Sequence, residues 1–207
     1  MSILTVTTPA AVTDLTTLET VKAELGVAGA ASDIVLARMI AQASGAAGAY
    51  CGRVFAREAV SETFRPPGPQ ADLRLARWPV VSIASVTEDG TALAAEDYEL
   101  DAASGLLMRL SDDAPTAWTA AKIVVAYEAG YRLPGEAGRT LPADIERAVL
   151  DMVKAAWTGR TRDTTIQQES VPGVYSVTYS TDAASAAGTL SPSVRDLLDP
   201  YRAPALA

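Results

Sequence analysis

Apolar and polar positions change period twice along this chain, from helical to alternating and back to helical. In residues 16–25, Leu18, Val21 and Leu25 fall on one helical face, Thr16 and Glu19 have the spacing of a capping box, and Gly26 is a stop. After a small-residue loop, Ser32 or Asp33 can cap a second helix that runs to about Cys51. Its face is Leu36, Met39, Ile40, Ala43, Ala47 and Tyr50. The second half of that helix is rich in Gly and Ala, a composition that suits close packing by another helix. Gly48 and Gly52 have GxxxG spacing, read here as tight packing in a globular chain rather than membrane dimerisation.

Between 53 and 131 the period becomes short. Strands are predicted at 54–64, 73–75, 80–88, 98–100, 106–110 and 122–127. Pro66-Pro-Gly-Pro69, Trp78-Pro79, Asp89-Gly90, Ser104-Gly105 and Asp112-Asp-Ala-Pro115 separate them. This spacing suggests an antiparallel meander or a small barrel.

The helical period returns after a linker at 131–140. Pro142 suits a first helical position, and Asp144 and Glu146 place negative charge in a first turn. Ile145, Val149, Met152, Val153 and Ala156 form the stripe of a helix reaching about Trp157, with Gly159 as its stop. Two β-rich arms around Pro172-Gly173 predict a hairpin at 165–180, and an Ala/Ser/Gly-rich tether follows at 181–189. A two-turn helix closed by Pro200 ends the pattern. Residues 1–13 read as an extended arm, either a strand lent to a neighbour or a loosely ordered terminus.

The fold class is therefore α+β: a helical body with an inserted antiparallel β-rich domain, a protruding hairpin and a short C-terminal helix. The divisions are 1–52 (arm and helix pair), 53–131 (β-rich insertion), 132–160 (main helix), 161–189 (hairpin and tether) and 190–207 (closing helix).

Composition narrows the chemistry. The 207 residues are 49% hydrophobic and 20% charged, as in a chain able to bury a core. A net charge of −8 argues against gripping nucleic acid by phosphate neutralisation, though not against surrounding DNA without holding it. The chain contains no histidine, which removes His-based triads, the usual zinc sites and His proton shuttles. Cys51 is the sole cysteine, so no intrachain disulfide or CxxC site exists, and it reads as a buried small residue. No Walker A loop, signal peptide or membrane-spanning run is visible. The expectation is a soluble protein of a reducing compartment or a particle, with no cofactor, no metal and no membrane partner.

Three groups invite sharper readings. The acidic pairs Glu88-Asp89, Glu96-Asp97 and Asp112-Asp113 offer carboxylates for acid–base work or a divalent metal, but all lie at predicted turns, where acids serve solvation. Arg160, Thr161 and Arg162 can meet a phosphate or an acidic partner, or complement the C-terminal dipole of the main helix. Trp78, Trp118 and Trp157 can form a carbohydrate platform, or belong to cores and interfaces.

The order of parts resembles the head–tail connector (adaptor, or head-completion) family of long-tailed double-stranded DNA phages and gene transfer agents. The resemblance rests on the helix pair from Leu15-Thr-Thr-Leu-Glu through Asp33-Ile-Val-Leu-Ala to Ala49-Tyr-Cys-Gly-Arg53. It rests further on Leu141-Pro-Ala-Asp-Ile-Glu-Arg-Ala-Val149, Glu169-Ser-Val-Pro-Gly-Val-Tyr-Ser-Val-Thr-Tyr179 and Leu197-Leu-Asp-Pro-Tyr-Arg202. It implies a structural virion protein without enzymatic turnover, forming a homo-oligomeric ring, usually twelvefold, under the portal protein. That ring extends the channel for passing double-stranded DNA and offers a face to a stopper or tail-terminator protein. The resemblance makes Leu197, Leu198, Tyr201 and Arg202 candidates for the portal contact. Gln167, Gln168, Val174, Tyr175 and Tyr179 become candidates for a subunit or tail-side interface, since an isolated hairpin is marginal and gains stability on a neighbour. Two other classes stand beside this reading: a host- or ligand-binding module carried on the β-rich middle, and a carboxylate–metal enzyme.

Overall fold

A computed structural model describes residues 2–160, 168–171, 175–178 and 190–203 of the chain. The contacts divide it into two compact units, one made of residues 1–12 and 54–140, the other of residues 13–53 and 141–207.

The first unit is built from nine strands in two antiparallel sheets. The larger has the order β1-β2-β9-β4-β5, with β1 Ser2–Thr8, β2 Glu58–Phe64, β9 Ile123–Ala129, β4 Val80–Glu88 and β5 Thr91–Ala92. In the smaller, β7 (Leu106–Ser111) is central and pairs with β3 (Asp72–Arg74), β6 (Tyr98–Asp101) and β8 (Ala114–Thr116). The meander expected from sequence is thus two sheets. The N-terminal arm, expected with the helix pair and either as a strand lent to a neighbour or as a loosely ordered terminus, pairs in its own chain with β2, Ser2 opposite Phe64 and Val6 opposite Val60.

Alternation decides which side chains point inward. On β9, Ile123, Val125, Tyr127 and Ala129 are buried. They join Val60 and Phe64 of β2, Val80 and Val86 of β4, and Leu73, Leu75, Leu107 and Trp118 in one core. Two-residue turns close two of the hairpins. Asp89-Gly90 links β4 to β5, and Asp112-Asp113 links β7 to β8, all four residues at positive φ. Gly130 lies at φ 110°, where a Cβ would come within 2.4 Å of the Ala56 carbonyl oxygen, so only glycine fits there.

The second unit contains α1 (Leu18–Leu25), α2 (Asp33–Cys51), α3 (Ala143–Gly159) and α4 (Pro192–Leu198). The cap of α1 is Thr17 rather than Thr16: its hydroxyl accepts from the Thr20 N–H at 3.1 Å. Thr16 is buried and donates to Glu146 Oε1 at 3.0 Å, tying the entrance of α1 to the first turn of α3. The Leu15 N–H donates to Ser44 Oγ at 2.9 Å, fixing the same entrance to α2. Leu36, Ile40, Ala43 and Ala47 of α2 are buried, as are Ile145, Ala148, Val149 and Val153 of α3. Gly48 and Gly52 belong to the end of α2. Gly52 is the left-handed cap, and the Arg53 N–H returns to the Gly48 carbonyl at 3.1 Å. The backbone of β10 (Gln168–Val171) pairs antiparallel with β11 (Tyr175–Thr178), Val171 opposite Tyr175. The predicted turn at Pro172-Gly173 and the tether at 181–189 lie outside the described residues.

Candidate functional site

The C-terminal segment is where the sequence-predicted contact residues meet a definite structure. Ser191 caps α4, accepting from the Val194 N–H, and Pro192 occupies the first turn. Val194 and Leu198, four residues apart, point the same way and are both buried, with α4 packed on α2 and α3. Beyond α4 the chain is held at several points to α2 and α3. The Tyr50 hydroxyl donates to Asp199 Oδ1 at 2.6 Å, and the Tyr201 hydroxyl to Asp144 Oδ2 at 3.3 Å. The Ala203 N–H donates to the Cys51 carbonyl at 2.7 Å, and the Cys51 thiol lies 3.6 Å from the Leu198 carbonyl. Arg202 sits 5.2 Å from the centre of the Tyr50 ring and 3.8 Å from Asp199.

The clasp shifts two of its own ionisable groups. The hydrogen bond to Asp199 raises the Tyr50 phenol above its ordinary value, with burial adding to the effect. Burial pushes the Cys51 thiol up to about 11. That places it far from the electropositive, partly exposed setting of a reactive cysteine.

The four predicted portal-contact residues are neighbours here, but they do not share one exposure. Leu198 is fully buried in its own unit, Leu197 and Tyr201 are half-buried, and Arg202 is exposed. The closing helix packs on its own unit, because the Val194–Leu198 pair finds an apolar surface on α3. Of the other candidates, Gln167, Val174 and Tyr179 lie outside the described residues, while Gln168 and Tyr175 are paired strand residues of β10 and β11. Tyr50, Asp144 and Asp199 were not singled out from sequence as contact residues. Asp199 stands within the Leu-Leu-Asp-Pro-Tyr-Arg motif, which was the available signal.

The acidic pairs are absorbed by local structure. Asp89 accepts from the Ala121 and Lys122 N–H groups, and Asp97 from the Ala94 N–H. Glu88 and Asp97 both face Arg109, at 3.4 and 3.6 Å. Among the described residues no group of three or more His, Cys, Asp or Glu side chains is arranged to hold a metal ion. Nor is any helix long and apolar enough to cross a membrane. Trp118 is core, its indole N–H donating to the Leu107 carbonyl at 3.2 Å, and the Arg160 guanidinium lies over the Trp157 ring.

Sequence reasoning missed a buried acid, Glu62. It occupies an inward position of β2 between Val60 and Phe64, and is wholly buried. Its Oε2 accepts from the Tyr127 hydroxyl at 2.8 Å and the Ala76 N–H at 2.9 Å. The Tyr127 oxygen in turn accepts from the Arg77 N–H at 3.2 Å. Burial and the neighbouring carboxylate push the Tyr127 phenol well above its usual range. This is a structural strut, and its signal was an acid at an in-facing position of an alternating strand.

One helical unit and one unit of two small sheets, interleaved along the chain, match solved particle necks. The neck of an empty gene transfer agent particle, computed with C6 symmetry, aligns over 99% of this chain and 97% of its own at 16% identity and a TM-score of 0.60. The neck of a native particle, computed with C12 symmetry, gives 17% identity and 0.57 over the same shares. The virion of a native gene transfer agent particle gives 16% and 0.55. The fold is thus that of a neck protein. The chain belongs to the head completion protein family, whose sequence model matches residues 14–203. It is a structural virion protein of the head–tail connector, and its place is the head–tail junction. No curated protein sequence matches it.

Proposed function

We propose that the chain acts as an adaptor ring beneath the portal, extending the DNA channel and presenting a docking face to a stopper or tail-terminator protein. The observation that carries this reading is the family match across residues 14–203, which takes in both helical segments and the C-terminal motif. The C12 and C6 symmetry of the similar necks supports a ring of copies. The net charge of −8 supports passage rather than capture of DNA, because a wall that neutralised phosphates would hold the duplex in a salt-dependent way.

In this reading the portal contact falls on Leu197, Tyr201 and Arg202, while Leu198 anchors the segment that presents them. In the same reading Gln167, Gln168, Val174, Tyr175 and Tyr179 are the candidates for a subunit or tail-side interface. Electron microscopy of particles from a producing strain lacking this gene tests the function. Filled or leaking heads beside separate, complete tails are expected; normally joined particles would overturn it.

A further inference from the structure

The nine strands of the first unit leave several sheet edges, and these edges differ in kind. The smaller sheet guards its own: β6 exposes Glu99 and Asp101, β3 exposes Asp72 and Arg74, and β8 contains Pro115. Charges and proline are the usual devices that stop a sheet edge from adding another strand. The larger sheet ends without them. β1, Ser-Ile-Leu-Thr-Val-Thr-Thr, has no charged residue and no proline over seven residues. It pairs with β2 on one side and with no described strand on the other. Alternate N–H and C=O groups therefore point away from the sheet. Ile3 and Val6 are 51% and 40% exposed. At the opposite end β5 covers only Thr87 and Glu88 of β4. Positions 81–85 of β4, Val-Ser-Ile-Ala-Ser, are also uncharged, with Val81, Ser82, Ala84 and Ser85 exposed.

From these two edges we infer that β1 is the seam between neighbouring copies, its free edge pairing with residues 81–85 of β4 in the next copy. The inference rests on the ring reading above. A closed ring needs two different patches on each subunit that complement one another. Two open edges of one sheet meet that condition, because each supplies the donors and acceptors the other lacks. The five-stranded sheet then continues from subunit to subunit. The seam is short, since bulges between Val80 and Ser82 and between Ile83 and Ser85 bend β4. Pairing of β1 with β1 would be isologous and stop at dimers.

The test is mass photometry of the purified full-length chain, alone and with purified portal protein, comparing wild type with an Ile3→Lys/Thr5→Lys variant. The lysines sit on an exposed edge, so the thermal unfolding of the variant is expected to stay that of wild type while ring formation falls at least tenfold. Adding Ser82→Glu and Ser85→Glu to the lysine variant is expected to restore rings. Rings that survive the lysines, or that the glutamates fail to restore, overturn the seam and leave the adaptor reading standing. A wild type that forms no ring in either condition overturns both. If the lysine variant unfolds early, Thr5→Cys combined in turn with cysteines at 81–85 replaces it. Oxidation should then give a ladder of covalent oligomers in denaturing gels; dimers alone, or no cross-link, overturn the proposal.

Discussion

Among the described residues each of the two units buries one glutamate, and the contrast between them shows how each is held together. In the sheet unit Glu62 is wholly buried and serves a phenol and a backbone N–H, joining β2 to β9 and to the chain just after β3. In the helical unit Glu146 stands in the first turn of α3, where the helix dipole favours a negative charge, and receives the Thr16 hydroxyl across 130 positions of sequence. Glu62 braces a core that is already closed by alternating apolar strands. Glu146 helps close a unit whose two halves are far apart in the chain. The helical unit must also hold its last segment, and it does so with two apolar side chains and a set of surface hydrogen bonds. The sheet unit is therefore expected to resist as one block, and the helical unit to release its C-terminal segment first.

The largest effect that tests this contrast is in the sheet unit. Trp118→Ala removes a fully buried indole and is expected to cost about 3–5 kcal/mol, read by denaturant unfolding as loss of the whole sheet unit. Next is Leu198→Ala, with a cost of about 2–5 kcal/mol in the helical unit. Because the Cys51 thiol lies beneath the Leu198 carbonyl, this loss is expected to appear as thiol labelling at least tenfold faster than in wild type, with the unfolding of the sheet unit unchanged. Labelling that stays slow would mean the segment is not held by Leu198. Third is Glu62→Ala, which leaves the Tyr127 hydroxyl and the Ala76 N–H without their acceptor. The expected loss is about 1–3 kcal/mol for each orphaned group, with Glu62→Gln milder, both measured by denaturant midpoints.

The smallest effect is a pH dependence confined to the clasp. Tyr50 and Cys51 both have folded pKa values above their ordinary ones, so each favours its protonated form in the folded chain. Their contribution is fully present below about pH 9 and is lost as pH rises through the folded values, about 11 for Cys51. Hydrogen exchange of residues 190–203 should accelerate on raising the pH from 9 to 11 beyond the intrinsic base-catalysed rate, and Tyr50→Phe should flatten the part due to the phenol. A segment whose excess exchange is constant over that range would show that neither group holds it.

Much of this architecture is legible in local pattern. The stripe Ile145–Val149–Val153, the glycine stop at Gly26 and the Asp89-Gly90 hairpin each follow from residues within one turn or one pair of strands, whereas Gly159, read as a stop, is itself the last helical residue of α3. Periodicity is local information, so it survives without knowledge of partners. Asp89, Asp112 and Asp113 also read correctly as turn residues, since they take the positive φ that two-residue hairpins need, whereas Glu88 ends β4 and Glu96-Asp97 lie in a short 3-10 helix. The exchange of Thr16 for Thr17 as the cap of α1 was not legible: both have a hydroxyl at a suitable distance from a following residue, and the buried partner Glu146 decides between them.

By itself, then, the sequence determined the helices, most strands, the turns and the order of parts that marks the family. Tertiary structure alone decided what distant segments do to one another. Residues 2–8 of the arm became an edge strand because β2 offered a free side, and Glu62 became a strut because Tyr127 and Ala76 arrive beside it from elsewhere in the chain. Leu198 became an anchor rather than an exposed contact because α3 presents the apolar surface that its helix, two turns long, cannot supply for itself. The physical reason is the same in each case. A hydrogen bond or an apolar contact between remote residues is worth its free energy only once the fold has closed the loop between them, and that closure is written in no local pattern.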